Sequence, residues 1–505
     1  VRVREHHGQD RRAETHRSVK PELIMPLAIA IPVAGAGLTG LLRDRPDLRE
    51  SVTLLCAASL CTLVALLLPP VMAGSRPHVA LIETLPGLSL ALEAEPLGLL
   101  FALIAAFLWL VTSVYSIGYM RRHRERHQTR FYVYFALALA STTGVAFSAN
   151  MFTLFVFYEM LTLTTYPLVT HSGSREAQRG GRVYIGLLLF TSIGFLLTAI
   201  IWTWLIAGTL DFREGGIFRD PSTRSHAGVL LVLYLFGIGK TAIMPFHRWL
   251  PAAMVAPTPV SALLHAVAVV KAGVFALLKV SIYLFGTDVL HMIGAARWLV
   301  YVAAATTLTA SVVALSRDNL KIRLAYSTIS QLAYVVAGAI IANPASVLGA
   351  SLQIATHAFA KITLFFCAGA IMISSHKTRV SQMRGVGRHM PITMGAFFIA
   401  SLSIIGLPPL AGFWSKWYLL SGALEGEQFV FLGALVLSTV MSIFYLLRIP
   451  VIGFFGRPVE PRPVPGIREA PLTCVAALLI TTLGCVLLFV FPDPVYRLVL
   501  PLTRQ

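Results

Sequence analysis

The stretch LVLYLFGIGKTAIMPFHRWLPAAMVAPTPVSALLHAVAVVKAG, residues 231–273, decides how the chain is read. Two apolar runs flank an interruption of proline and polar residues, and each run carries a lysine, Lys240 and Lys271. Roughly 20 apolar residues make a membrane-spanning helix. A charged side chain at the centre of such a helix costs at least about 2.5–3.5 kcal/mol. Three other apolar runs accept the same cost: Glu159 lies in TLFVFYEMLTLTTYPLV, Lys361 in IATHAFAKITLFFCAGAI and Lys416 in LAGFWSKWYLL. Charge placed repeatedly inside spans implies that charge moves through the membrane.

Composition points the same way. Of the 505 residues, 56% are hydrophobic and 13% charged, and the mean hydropathy is +0.75. Soluble domains carry roughly 25% charged residues. The net charge of +18 gathers in short loops between apolar runs, which the positive-inside rule explains, so nucleic acid is not an expected partner. Cys56, Cys61, Cys367, Cys474 and Cys485 all lie in apolar segments, with no CxxC pair or metal-ligand spacing. Core packing is their expected role. Without a glycine-rich nucleotide loop, Walker motif or haem-attachment site, neither cofactor nor metal is expected.

The runs predict an all-α polytopic membrane protein of about fourteen transmembrane helices. Spans one to three cover 22–42, 51–73 and 96–120, and spans four to eight cover 131–148, 150–171, 183–207, 227–247 and 258–285. Spans nine to fourteen cover 296–316, 322–342, 347–374, 391–424, 428–455 and 471–491. Strongly basic loops follow odd-numbered spans, such as RRHRERHQTR (121–130) after span three and Lys377, Arg379, Arg384 and Arg388 after span eleven. Odd loops are therefore expected in the cytoplasm and both termini outside, in a bacterial-type cytoplasmic membrane. The polar, basic residues 1–24 do not suit an outside tail. An over-extended gene start and a polar tail both explain them.

Spans seven and twelve look broken. Pro245 follows Lys240 by five residues, and Pro408 and Pro409 in GLPPLAG (406–412) precede Lys416. Proline frees helical carbonyls, which a membrane protein tolerates only where protein or water satisfies them. Interrupted spans in corresponding places suggest inverted repeats with sites at the breaks. The expected organisation is a polar extension (1–24), helices one to three (25–125), a first five-helix repeat (126–286), a second (287–456), and a last helix with its tail (457–505).

MPFHRWLPAAMVAPTPVSALLHAVAVVKAG (244–273), FVFYEMLTLTTYPLV, THAFAKITLFF and GLPPLAGFWSKWYL together resemble the antiporter-like subunits of respiratory complex I and of Mrp-type cation/proton antiporters. The resemblance runs from about residue 90 to 450. It implies a proton-translocating subunit of a multisubunit Na+/H+ antiporter, with chain length and the Lys271 segment nearest to the D-type member of the Mrp antiporters. A redox-driven complex of the NADH:quinone oxidoreductase or hydrogenase type stays open, as does a proton-coupled partner in inorganic-carbon uptake. The implied partners are other membrane subunits of such an assembly, protons and sodium.

Residue by residue, the resemblance matches Glu159 to the acid of helix five and Lys240 to the lysine of broken helix seven. Pairing and desolvation act on such a lysine in opposite directions; a static packing pair is the alternative. Lys271 matches the helix-eight position that passes protons inward, and Lys416 the end of the line, which is glutamate in some members. His357 and Lys361, four apart, share a helical face and can continue the line. His265, six residues before Lys271, is off its face; it belongs to the line or is bonded to a backbone carbonyl. Lys279, Lys321 and Lys377, near span ends, read as snorkelling or loop charges, and Trp202, Trp204, Trp249 and Trp417 as interfacial anchors.

Overall fold

The computed structural model describes residues 20–457 and 466–504, so the polar extension falls largely outside it. Helix α1 (Pro21–Leu41) nevertheless starts within the stretch assigned to that extension, with Ile24 and Met25 buried. Next come α2 (Pro46–Met72), strands β1 (His78–Leu85) and β2 (Leu88–Glu93), α3 (Pro96–His123) and α4 (Gln128–Ala146). They are followed by α5 (Met151–Val169), α6 (Arg175–Ala207), α7 (Pro221–Gly237), α8 (Thr258–Phe285) and α9 (Gly294–Ser316). The remaining long elements are α10 (Leu320–Ile341), α11 (Pro344–Ser375), α12 (Pro391–Ile405), α13 (Gly412–Glu425), α14 (Phe429–Phe455) and α15 (Leu472–Val490).

Among the described residues, eleven helices are long and apolar enough to cross a membrane. The other spans read from the sequence take different forms. Span four is the 19-residue α4, which opens on the polar turn Gln128–Arg130. Span seven is the 17-residue α7 up to its break, and span twelve is divided into α12 and α13, of 15 and 14 residues. The protein is thus a multi-pass, all-α membrane protein with one hairpin added. That hairpin lies between spans two and three, where the sequence predicts no element. β1 and β2 pair antiparallel from His78↔Glu93 to Leu85↔Leu88, and Gly87, at φ +79°, supplies the left-handed residue of the two-residue turn.

Helix burial locates the interior. The apolar windows of α8 and α10 are 100% and 94% buried, against 28% for α2 and 33% for α6. A helix apolar on all sides and covered on all sides belongs at the centre of a bundle. α8 also contains two π-helical stretches, Leu263–Val267 and Val280–Phe285, a distortion that gathers at functional sites.

Candidate functional site

The first break holds Lys240. α7 ends at Gly237, a single 3₁₀ turn carries the lysine, Ala242 takes φ +56°, and the Met244–Pro245 peptide is cis. The Nζ of Lys240 donates to the Tyr158 carbonyl (2.8 Å) and to Oγ1 of Thr162 (2.6 Å), and lies 3.1 Å from the centre of the Tyr158 ring. The lysine's backbone N–H donates to the Tyr158 hydroxyl (3.0 Å). Gly273 allows α8 to close on this turn, since a Cβ there would stand 2.4 Å from the Lys240 carbonyl carbon. Trp249 is no interfacial anchor: it is fully buried and donates to the Gly239 carbonyl (3.0 Å), beside the break.

The expected Glu159–Lys240 ion pair does not form. Glu159 is half-buried, and neither carboxylate oxygen has a hydrogen-bond partner. It remains close enough to act on Lys240 electrostatically. Helical phase is the reason: Tyr158 and Thr162 line the side of α5 that meets the lysine, and Glu159 is rotated by about 100° from Tyr158.

At the centre, Lys271 Nζ and His357 Nδ1 are 2.8 Å apart and both side chains are buried. His357 Nε2 has no partner, so this pair can hold one proton on either member. His265 sits in the first π-helical stretch of α8 with both ring nitrogens unbonded, 4.7 Å between its ring and that of Phe365. The backbone-carbonyl bond considered for it is absent. Its charged neighbours are Lys361 and Lys321.

Lys361 donates to Ser327 Oγ (2.7 Å) and the Leu324 carbonyl (3.3 Å) of α10 and acts on His357 through its charge. From there hydroxyls continue: Tyr445 donates to Ser327 (3.2 Å) and meets Ser442 (3.0 Å), Ser311 meets Ser330 (2.9 Å), and Tyr334 meets Ser438 (2.5 Å). Lys416 stands at the second break. Gly406, at φ +87°, and the cis Pro408–Pro409 peptide separate α12 from α13. Lys416 Nζ donates to the Ile405 carbonyl (2.9 Å) and to Thr439 Oγ1 (2.9 Å). Ile405 is the last residue of α12, where an orphan carbonyl and the negative end of the helix dipole favour a cation.

The hydroxyls were not singled out from the sequence, yet spacing reveals them. Positions 327, 330 and 334 of α10 and 438, 442 and 445 of α14 recur every three or four residues, which is one helix face. The reading of one other lysine needs correction. Lys279 is buried, with Nζ 3.3 Å from Glu95 and donating to the Ser148 carbonyl (2.7 Å). Lys321 is half-buried and donates to the Ala256 carbonyl. Pairing on the inside positions Lys279, whereas Lys321 bonds inward at the start of α10 while lining a cavity at the loop face.

Fold and site together define a multi-pass membrane protein of the ion-translocating kind. A profile described as NADH:quinone oxidoreductase/Mrp antiporter, TM, matches residues 148–442, more than half of the chain. NADH-quinone oxidoreductase subunit N of Desulforudis audaxviator is 33% identical over 425 residues, 81% of this chain and 84% of that protein. The A/B subunit of a probable K(+)/H(+) antiporter of Rhizobium meliloti is 31% identical over 492 residues, 93% of this chain but 47% of that longer protein. The fold is shared with a chain of the Mrp complex of a Dietzia species (TM-score 0.85, 21% identity, 96% of this chain and 97% of that one). It is shared equally with a chain of an archaeal membrane-bound sulfane sulfur reductase (TM-score 0.82, 22% identity, 94% and 96%). The chain belongs to the family of transmembrane subunits of NADH:quinone oxidoreductases and Mrp antiporters. It is a proton-translocating membrane subunit of that type.

Proposed function

We propose that the chain is the D-like, proton-carrying subunit of a multisubunit Na+/H+ antiporter in a bacterial-type cytoplasmic membrane. Protons pass from the basic-loop face to Lys271, His357 and Lys361 and leave by Lys416, while Glu159 and Lys240 gate the transfer. Residues 126–286 and 287–456 act as inverted repeats in this scheme, each with its broken helix. The observation that supports it is a set of four lysines deep in the bundle, Lys240, Lys271, Lys361 and Lys416, held by hydroxyls, carbonyls and an imidazole. No carboxylate locks their charge, so each can exchange a proton with water or a neighbour. Charged groups kept at such cost inside a membrane mark ion pathways.

Lysine at 416 argues against the complex I subunit type that carries an acid there, and likeness to the Rhizobium antiporter protein along 93% of this chain supports the antiporter reading. A second reading, the proton-pumping subunit of a redox-driven complex, draws on the Desulforudis relative, which matches over most of both proteins. Everted vesicles carrying the whole gene cluster separate the two. Sodium-dependent proton exchange is expected in wild type and is expected to fall at least tenfold in Glu159→Ala and Lys240→Ala. Wild-type vesicles inert to sodium, potassium and lithium would favour the redox reading. Normal exchange in Lys240→Ala would remove the gate from the scheme.

A further inference from the structure

A cavity of about 490 Å³ opens on the face that carries the basic loops. Loops after α3, α5, α9 and α11 all contribute to it. Two carboxylates, Glu125 and Glu176, line it among loops of net basic charge. Glu125 is 18% exposed and 3.7 Å from His123, and burial raises its pKa above the usual carboxylate value. A raised carboxyl suits proton uptake nearer to neutral pH. On the inner side, the cavity reaches Thr258, where α8 begins, and Lys321, the base of α10.

His265 lies two turns further along α8, roughly 10 Å deeper. Both of its ring nitrogens are buried and unbonded, and a buried polar group in that state calls for water. The charges around it are Lys321 toward the cavity and Lys361 toward the centre. His265 therefore stands between a loop-side lysine and the central lysines, in a stretch where α8 is widened to a π-helix.

We propose that this cavity is the inlet of the proton line: Glu125 and His123 gather protons, Lys321 relays them through water to His265, and His265 delivers them to the Lys361, His357 and Lys271 group. The proposal rests on the proton-translocation reading and assigns Lys240 to the gate rather than to the path. Each step moves one proton from a carboxyl, ammonium or imidazolium to the next base, leaves the donor one charge lower, and transfers no electron.

Two variants of the assembled complex test the inlet. Met372 lines the cavity wall, so Met372→Cys treated from the loop face with a membrane-impermeant thiol reagent plugs it. Arg122→Cys, exposed on the same face, and treated wild type are the controls. Full modification at 372 is expected to lower proton flux at least fivefold and to spare both controls. Lys321→Arg keeps the charge and the bond to the Ala256 carbonyl but cannot release a proton at working pH; flux is expected to fall at least tenfold while assembly is retained. Full modification at 372 without loss of flux, or wild-type flux in Lys321→Arg, overturns the inlet. Normal flux in Lys416→Ala would instead overturn the proton line, whatever the plug does.

Discussion

Lys279 and Glu95 show how far one residue's surroundings can depart from its place in the chain. Glu95 accepts from the backbone N–H groups of Leu97 (2.7 Å) and Gly98 (2.7 Å) and from the Tyr283 hydroxyl (3.0 Å), so it also caps α3. Lys279 supplies its countercharge at 3.3 Å, and both side chains are almost wholly covered, at 1% and 3% exposed. Removing one partner of such a pair strands the other charge and costs about 3–5 kcal/mol, whereas removing both costs much less. Lys279→Met is therefore expected to lower the thermal unfolding midpoint of the complex in detergent by several degrees. Adding Glu95→Gln should recover at least half of that loss. Equal losses in the single and double variants would mean that the pair has no coupling. Glu159 makes the opposite point: it is unpaired because its neighbours Tyr158 and Thr162, not it, face Lys240.

At the level of elements, the breaks turn helices into binding surfaces. α12 ends so that its last carbonyl meets Lys416 from α13, and the turn after α7 carries Lys240 against α5. The turn after α5 contains another titratable group. His171 is buried with both ring nitrogens unbonded, and Arg130 donates to its carbonyl (2.7 Å). Burial, reinforced by the Arg130 charge, lowers its pKa to about 4. The unfolded chain titrates near 6.5, so the unfolded state binds the extra proton first as the pH falls. Stability from this group is complete above about pH 6.5 and is lost on going down to about pH 4. His171→Gln should flatten the decline of unfolding midpoint across that interval. An unchanged slope would assign the decline to other groups.

For the whole molecule, charge asymmetry sets the expected orientation. Loops after odd spans are basic, whereas the loop after span twelve carries Glu425 and Glu427. Single cysteines at Arg122 and Glu425, both exposed positions, report the sides directly. An impermeant label should reach Arg122→Cys in everted vesicles and Glu425→Cys in right-side-out vesicles. The reverse pattern would invert the orientation and move the inlet to the outer face. The burial order also belongs to this scale: α8 and α10 are enclosed while α2 and α6 are largely uncovered, which places polar chemistry away from lipid.

Run length, hydropathy, proline position and loop charge are local properties of a chain set against lipid and water. They sufficed to recognise a multi-pass membrane protein, to place interruptions near Pro245 and Pro408–Pro409, and to single out four buried lysines, Lys240, Lys271, Lys361 and Lys416, but not Lys279. The hairpin escaped because residues 78–93 lie between spans and carry no spanning signal. Contacts between spans were beyond local reading. Tyr445 meets Ser327 across 118 positions and Lys271 meets His357 across 86, while Glu159, on the right helix, faces the wrong way for its expected partner. Which polar groups touch depends on how each helix is rotated and which helix covers it, and only packing in the folded bundle decides that.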